Sequence, residues 1–246
     1  MDTLTSTLLF GVAAALANVL GGLMVVSRRE PWDPRILHGF VALGAGFMLA
    51  AALLRMEPEA LRLTEAAPLL ILLGYLVVHL FEHTIAPHFH FGEETHPHLV
   101  VGSSTWAPAL VGLVVHSLFD GISIASGFLV SPGLGLLVFA AIILHKAPEG
   151  FAIASVMMAA GVDRRGALAS ALAVGVASIF GVLTAHAFVG WVGAALALST
   201  GVTLYVAASD LIPEVNKEEG VSMALLVFAG VALFYGSERA LAAVGL

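Results

Sequence analysis

The sequence contains no cysteine, which excludes disulfide bonds and thiolate metal ligands. It is also poor in charge, since Asp, Glu, Lys and Arg make up 11% of the residues, whereas a soluble domain averages about 25%. Lys and Arg number 10 against 17 Asp and Glu, and the net charge is -7. No basic patch is available to meet phosphates, so nucleic acid is excluded as a partner.

Apolar residues are abundant instead, at 59% of the chain with a mean hydropathy of +1.00. Several runs reach the length of about 18 residues that crosses a bilayer as a helix. The first residues, "MDTLTSTLLF", lack a positive region and a small-residue cleavage site, so we interpret them as part of a retained first span rather than a signal peptide. The sequence predicts an all-α polytopic membrane protein.

Apolar runs and the segments between them predict one domain of eight transmembrane helices. The predicted spans cover residues 5–26, 36–55, 67–86, 106–129, 133–159, 166–189, 191–212 and 221–242. The longest connection, 87–105, is polar and His-rich, whereas those at 130–133 and 190–193 are very short. The short connections predict that spans four and five are close antiparallel neighbours, as are spans six and seven.

The distribution of Lys and Arg predicts the orientation. Connections after spans one, three, five and seven contain six of these residues, and the opposite side contains three. The positive-inside rule then places the first group, with the His-rich loop, in the cytoplasm and both termini outside. A compact chain with thin loops suits a prokaryotic inner membrane.

Two similar stretches carry ionisable residues into the middle of the apolar runs: "HSLFDG" from His116 and "HKAPEG" from His145. An i,i+4 spacing puts His116 and Asp120 on one helix face, and His145 and Glu149 on another. In antiparallel spans His116 is expected to face Glu149, and Asp120 to face His145. Two nitrogen and two oxygen ligands suit Zn²⁺ first, then Fe²⁺, Co²⁺ or Cd²⁺. The alternative is a structural role for both pairs.

Two further residues distinguish the second stretch. Pro148 cannot donate to the carbonyl of Leu144, which predicts a kink just before Glu149. Lys146 lies too deep for its ammonium to reach the interface. It either pairs with Glu149 or Asp120, or serves as a fixed cation beside the metal site.

A second resemblance within the chain joins span two, ending "LLRMEPEA", to span seven, ending "SDLIPEV". Both spans are predicted to close on Pro-Glu. They would run in opposite directions if spans one to three and six to eight were inverted copies around spans four and five. Inverted repeats with a site between them are typical of transporters.

At these residues the chain resembles the ZIP (Zrt/Irt-like) divalent metal transporters over nearly its whole length. "HSLFDG" and "HKAPEG" occupy the places of the family motifs on spans four and five, and "GFVALGAGFMLAAALL" and "LYVAASDLIPE" are similar to its patterns on spans two and seven. The resemblance implies a three-two-three arrangement, a homodimer, and spans one, four, five and six moving against the other four. It also implies a metal site of His116, Asp120, His145 and Glu149.

The sequence departs from the family where many members hold a second metal. The family's Asn on span four, Asp on span five and Glu on span six correspond here to Ser117, Lys146 and Ser178, and Phe119 replaces the Pro of span four. We therefore expect one metal, with Lys146 in place of a second.

Other candidates lie outside the central pair of spans. The H-x-x-E-H pattern of zinc peptidases is matched by His79, Glu82 and His83. The preferred hypothesis is that these residues and the adjacent loop collect metal ions before transport. Met48 is either a soft gate or a core residue, and Asp210 and Glu214 are either exit-side ligands or a solvated helix end. His38 and His186 are expected to be structural. The loop is predicted to bind metal weakly or to be a disordered linker, and its histidines are His88, His90, His96 and His98.

The leading hypothesis is secondary transport of divalent metal ions, with zinc taken up into the cytoplasm and Fe²⁺, Co²⁺, Cd²⁺ or Mn²⁺ as other substrates. The expected partners are these ions, membrane lipids and a second copy of the chain. The competing class is a membrane-embedded zinc-dependent hydrolase, which would use a zinc-bound water. The repeated site and the thin loops favour transport over an enzyme.

Overall fold

The structure is a computed structural model, and it describes residues 3–27, 34–84, 106–218 and 220–245. Within these ranges the chain is helical without β-strands, and eight helices are long and apolar enough to cross a membrane, which confirms the all-α prediction. We number them as spans one to eight. The uninterrupted helices are span one (Thr3–Ser27), span three (Ala67–Thr84), span four (Trp106–Val130), span five (Pro132–Ala159), span six (Arg164–Ala187) and span eight (Ser222–Ala243).

Spans two and seven are each interrupted by a π-helical turn. Span two consists of Pro34–Ala51, the π turn Ala52–Met56 and Glu57–Leu63. Span seven consists of a 3₁₀ turn Val189–Trp191, the helix Val192–Tyr205, the π turn Val206–Leu211 and Ile212–Val215.

The structure corrects the prediction that span two closes on Pro-Glu, whereas span seven ends at Val215, directly after its Pro-Glu, as predicted. A π turn precedes the proline in both spans. The backbone N–H of Glu57 donates to the carbonyl of Ala52, and that of Ile212 donates to Ala207, five residues back in each case. A proline follows each donor, and a proline has no N–H for the normal helical bond. The wider turn takes up this defect, so span two continues to Leu63, eight residues past its predicted end.

The eight spans pack as two groups. Spans one, four, five and six all contact one another, while in the second group span two packs on span eight and span three packs on span seven. The groups meet where span two contacts span five and span four contacts span seven. Spans four and five are neighbours as predicted. The predicted pairing of spans six and seven is wrong, because within the described residues they belong to different groups and share little contact.

Reciprocal glycines set the closest helix crossings at the centre. A Cβ on Gly150 of span five would collide with the carbonyl of Asn18 in span one, and a Cβ on Gly21 would collide with the carbonyl of Ala147. Spans four and six repeat this crossing, with Gly121 against the carbonyl of Ser178 and Gly181 against that of Leu118. Only hydrogen fits at these positions, so the backbones touch.

Reciprocal glycines also set the close helix crossings in the second group of spans. Gly46 and Gly230 bring spans two and eight together, and Gly74 and Gly201 bring spans three and seven together. Pro58 follows Gly46 by 12 residues, and Pro213 follows Gly201 by the same 12. The close crossings direct span six onto span four and span seven onto span three, so the short connection between six and seven keeps only their ends together.

Candidate metal site between spans four and five

The central cluster consists of the four residues predicted as metal ligands. One ligand-type atom each of His116, Asp120, His145 and Glu149 lies within 4.8 Å of the other three, and the side chains are 3–6% exposed. The i,i+4 spacing on two antiparallel helices brings them together from opposite directions. The structure therefore places all four predicted residues in one buried group.

Asp120 lies between the two imidazoles. Its Oδ2 is 3.3 Å from Nε2 of His116 and 3.4 Å from Nε2 of His145. In tetrahedral zinc sites with bonds of about 2.0–2.2 Å, neighbouring ligand atoms are about 3.3–3.5 Å apart. The two distances from Oδ2 thus match the spacing of neighbouring ligand atoms in a zinc site.

A backbone contact orients His145. Its Nδ1 lies 3.2 Å from the carbonyl oxygen of Ala141, which accepts only if Nδ1 carries the proton. In a neutral ring, which is the form that binds metals, Nε2 would then present a lone pair toward Oδ2 of Asp120. Two acceptors facing each other are stabilised by a cation between them, and a backbone carbonyl is a common partner of the distal nitrogen in metal-binding histidines.

Glu149 is held by Ser117 and Lys146, and Lys146 also holds Asp120. Its Oε1 accepts a hydrogen bond of 2.7 Å from Ser117, and its Oε2 lies 2.6 Å from Nζ of Lys146. The same ammonium is 2.7 Å from Oδ2 of Asp120 and 2.5 Å from Oγ of Ser117. Lys146 is fully buried and bridges both carboxylates. Pairing, one of the two roles considered for Lys146, is therefore present with both carboxylates.

The neighbours of the cluster come from both helix groups. Gly44 of span two lies against His145, with an ordinary 3.7 Å between a Cβ built on Gly44 and the Cβ of His145. A small apolar cavity of about 30 Å³ between spans three and four is lined by His116 and Phe119. A larger cavity of about 380 Å³ lies between spans two, five and eight, lined by Arg55, Leu137 and Glu238 among others. Pro148 lies inside the continuous helix Pro132–Ala159.

Two buried polar residues adjoin the glycines that follow the carboxylates. Asn18 and Ser178 are both 0% exposed, and neither the amide nor the hydroxyl has a hydrogen-bond partner among the described residues. The sequence reading identified Ser178 only through the family resemblance, and it missed Asn18. A usable signal was present, because Asn18 is one of two asparagines in a sequence without glutamine, and it stands in the middle of an apolar run.

The H-x-x-E-H residues of span three do not share one environment. His79 and His83 are exposed, with their ring centroids 4.2 Å apart. Glu82 is 2% exposed and accepts a hydrogen bond of 2.8 Å from the hydroxyl of Tyr205 in span seven. The carboxylate thus joins spans three and seven. The loop histidines His88, His90, His96 and His98 lie outside the described residues.

The remaining candidates are buried. Asp210 is 3% exposed and Glu214 is 2% exposed, so the solvated-helix-end alternative is wrong. Glu214 lies 2.7 Å from Nζ of Lys217. Met48 is 0% exposed within the main hydrophobic cluster, as a core residue would be.

The two histidines expected to be structural have side-chain partners. Nδ1 of His38 is 2.8 Å from a carboxylate oxygen of Glu218, and Nε2 of His186 is 2.7 Å from Oγ1 of Thr7.

Fold and cluster together define a helical membrane protein with a buried group of metal-ligand side chains. Residues 107–238 match the family model described as ZIP Zinc transporter. The chain belongs to this family, and the resemblance noted from the motifs is confirmed.

Similar proteins carry the same family name. The chain is 32% identical over 158 residues to "Zinc transporter ZIP9" of Xenopus tropicalis and, in the same proportion, to "Zinc transporter ZIP9-A" of Xenopus laevis; each match covers 59% of this chain and 52% of the relative. It is 36% identical over 118 residues to "Zinc transporter ZIP9" of Macaca fascicularis, covering 43% of this chain and 50% of that protein. The chain spans about half the length of the curated relatives it matches.

Proposed function

We propose that the protein transports divalent metal ions across a membrane, with zinc as the first substrate and Fe²⁺, Co²⁺, Cd²⁺ and Mn²⁺ as others, and that zinc moves into the cytoplasm. The observation that carries the proposal is the spacing of Asp120 Oδ2 from the two imidazole Nε2 atoms, 3.3 and 3.4 Å, with Glu149 in the same group. Two carboxylates offset the charge of the ion in a low dielectric. The names of the matched relatives also support zinc.

The site holds one metal in this proposal. Lys146 places an ammonium between Asp120 and Glu149 and against Ser117, where the resemblance expects ligands of a second ion. A buried lysine cation beside the site repels a second dication. Replacing Lys146 with Asp is expected to raise the bound zinc from one to two ions per chain.

Transport proceeds by alternating access. The four proposed ligands belong to spans four and five, in one group of helices, while Gly44 of span two, in the other group, lies against His145. A displacement of one group along the other would open the site toward one side at a time. Family membership favours transport over a hydrolase.

Zinc uptake into proteoliposomes tests the proposal. The flux of ⁶⁵Zn²⁺ is compared among the native chain, His145→Ala and Glu149→Ala, with His186→Ala as a control that removes a histidine bonded to Thr7. We expect the flux at low zinc concentration to fall in the first two variants and to stay native in the control. An unchanged flux in both site variants would remove the basis of the proposal.

The orientation can be tested separately because the chain lacks cysteine. Val221 and Val244 are 75% and 71% exposed and lie at opposite ends of span eight. With both termini outside, Val244→Cys should react with an impermeant maleimide on intact cells, and Val221→Cys only after permeabilisation. The reverse pattern would place the termini inside. The homodimer and the prokaryotic inner membrane stay predictions.

A further inference from the structure

Asn18 is an unusual residue for the middle of an apolar bundle. It is 0% exposed in span one, and both atoms of its amide lack a hydrogen-bond partner among the described residues. Burying an amide without a partner costs free energy, which a hydrophobic residue of similar size would avoid. Its presence points to a partner that arrives in another state of the protein.

The amide lies beside the turn of span five that carries the site. A Cβ built on Gly150 would be 2.9 Å from the side-chain oxygen of Asn18. Gly150 directly follows Glu149, and it shares a helix face with Lys146 four residues earlier. Asn18 therefore packs on the same face of span five from which the Lys146 side chain projects.

Lys146 needs a second position once a metal is bound. Oδ2 of Asp120, the oxygen 3.3 and 3.4 Å from the two Nε2 atoms, is also the oxygen that Lys146 holds at 2.7 Å. A zinc ion bonded to this oxygen would lie within about 5 Å of the ammonium. Repulsion between the cations favours withdrawal of Lys146, and a buried ammonium requires an acceptor wherever it goes.

We propose that the side-chain oxygen of Asn18 is this acceptor, so that Lys146 exchanges between the carboxylates in the metal-free site and Asn18 in the metal-bound site. Asn18 is then a positioning residue that lowers the cost of displacing Lys146. The inference rests on the proposed function, because it requires a metal at Asp120. Ser178 is the less suitable acceptor, since it adjoins Gly121 of span four, on the face that carries Ser117 rather than Lys146.

A double-mutant cycle tests the proposal through zinc affinity. Isothermal titration of the purified full chain uses a background free of loop histidines, which we call the loop-free background: His88→Ala, His90→Ala, His96→Ala and His98→Ala. In it, Asn18→Leu is expected to raise the zinc Kd about tenfold. In a Lys146→Met version of the same background, Asn18→Leu is expected to change nothing.

Two further variants separate a positioning role from a structural one. Thr7→Val removes another buried polar side chain of span one and should leave the Kd native. Asn18→Ser keeps an acceptor and should lose less affinity than Asn18→Leu. The metal-free Tm of Asn18→Leu should equal or exceed the native value, since an unpartnered amide is replaced by an apolar side chain.

The proposal is overturned if Asn18→Leu leaves the zinc Kd unchanged, or if it raises the Kd equally with and without Lys146. Failure of the proposed function has a different signature. In that case the loop-free background binds no zinc, or binds it equally well after His145→Ala, and no role at a metal site remains for Asn18.

Discussion

Spans four and five are packed against their neighbours in the same way, but their charged side chains make different contacts. Each carries a His-x-x-x-carboxylate-Gly stretch, and the glycines at 121 and 150 touch backbone carbonyls of spans six and one. Lys146 contacts both carboxylates, but Asp120 also contacts both imidazoles, whereas Glu149 accepts a hydrogen bond from Ser117. The symmetry therefore lies in the helix packing. The charged contacts are asymmetric, because the site contains one lysine cation and that cation comes from span five.

Disrupting the glycine crossings of spans four and five should have the largest effect, a loss of stability. Gly121→Val and Gly150→Val each drive a side chain into a backbone carbonyl that cannot move away, so each should lower the free energy of unfolding by about 3 kcal/mol. Unfolding in detergent measures the loss. Gly236→Val is the control, because a Cβ there has no described atom within 4 Å. If valine is tolerated at one of Gly121 and Gly150 but not at the other, the helix packing of spans four and five is not equivalent.

The unequal carboxylates should give unequal losses of zinc affinity. Asp120→Ala removes the oxygen common to both imidazoles and should weaken binding about 100-fold, or about 2.7 kcal/mol. Glu149→Ala should weaken it about tenfold, since Lys146 holds both carboxylates but only Asp120 lies against both imidazoles. Titration in the loop-free background measures both. Equal losses, or a greater loss for Glu149, would contradict the assignment of Asp120 as the central ligand.

Removing the Lys146 ammonium should show how strongly it competes with zinc for the two carboxylates. Lys146→Met frees Oδ2 of Asp120 and Oε2 of Glu149 from competition, so zinc should bind about tenfold more tightly. The metal-free protein should lose stability, because two buried carboxylates remain without a cation. Zinc should accordingly raise the Tm more than in the native chain. Weaker binding in this variant would mean that Lys146 supports the metal rather than competing with it.

The smallest effect is expected at Ser178. It occupies in span six the place that Asn18 occupies in span one, one turn before a close glycine. Its hydroxyl has no partner within the described part of the chain, so Ser178→Ala should change the zinc Kd by less than about twofold. A loss of tenfold or more would make Ser178 a ligand and would restore the second metal of the family pattern.

The sequence predicts correctly those features that depend on one local pattern, such as the length of an apolar run or the spacing of residues along a helix. Apolar runs of sufficient length predict the eight spans, and the i,i+4 spacing on antiparallel neighbours predicts the cluster around Asp120. The sequence predicts too early an end for span two because Pro58 resembles a helix stop, whereas a π turn lets the helix continue past it. The pairing of spans six and seven failed because a short connection fixes only helix ends, and the glycine crossings that fix the rest depend on distant spans.

Buried neutral polar residues are also missing from the sequence-based prediction. A search for ionisable groups in apolar runs finds Lys146 and Glu149 but passes over Asn18, whose importance appears only when Gly150 brings span one against span five. The burial of Asp210 and Glu214 was likewise out of reach, since it depends on how the other spans pack around the end of span seven.

The most direct test of the central claim is the zinc content of the loop-free background, measured by equilibrium dialysis together with X-ray absorption at the zinc edge. A single site between spans four and five predicts one zinc per chain, bound by two imidazoles and carboxylate oxygens at about 2.0–2.2 Å, with no neighbouring zinc. Asp120→Ala should lose this ion and Lys146→Asp should bind two. Two zinc ions in the unaltered site, or one that survives Asp120→Ala, would contradict the account.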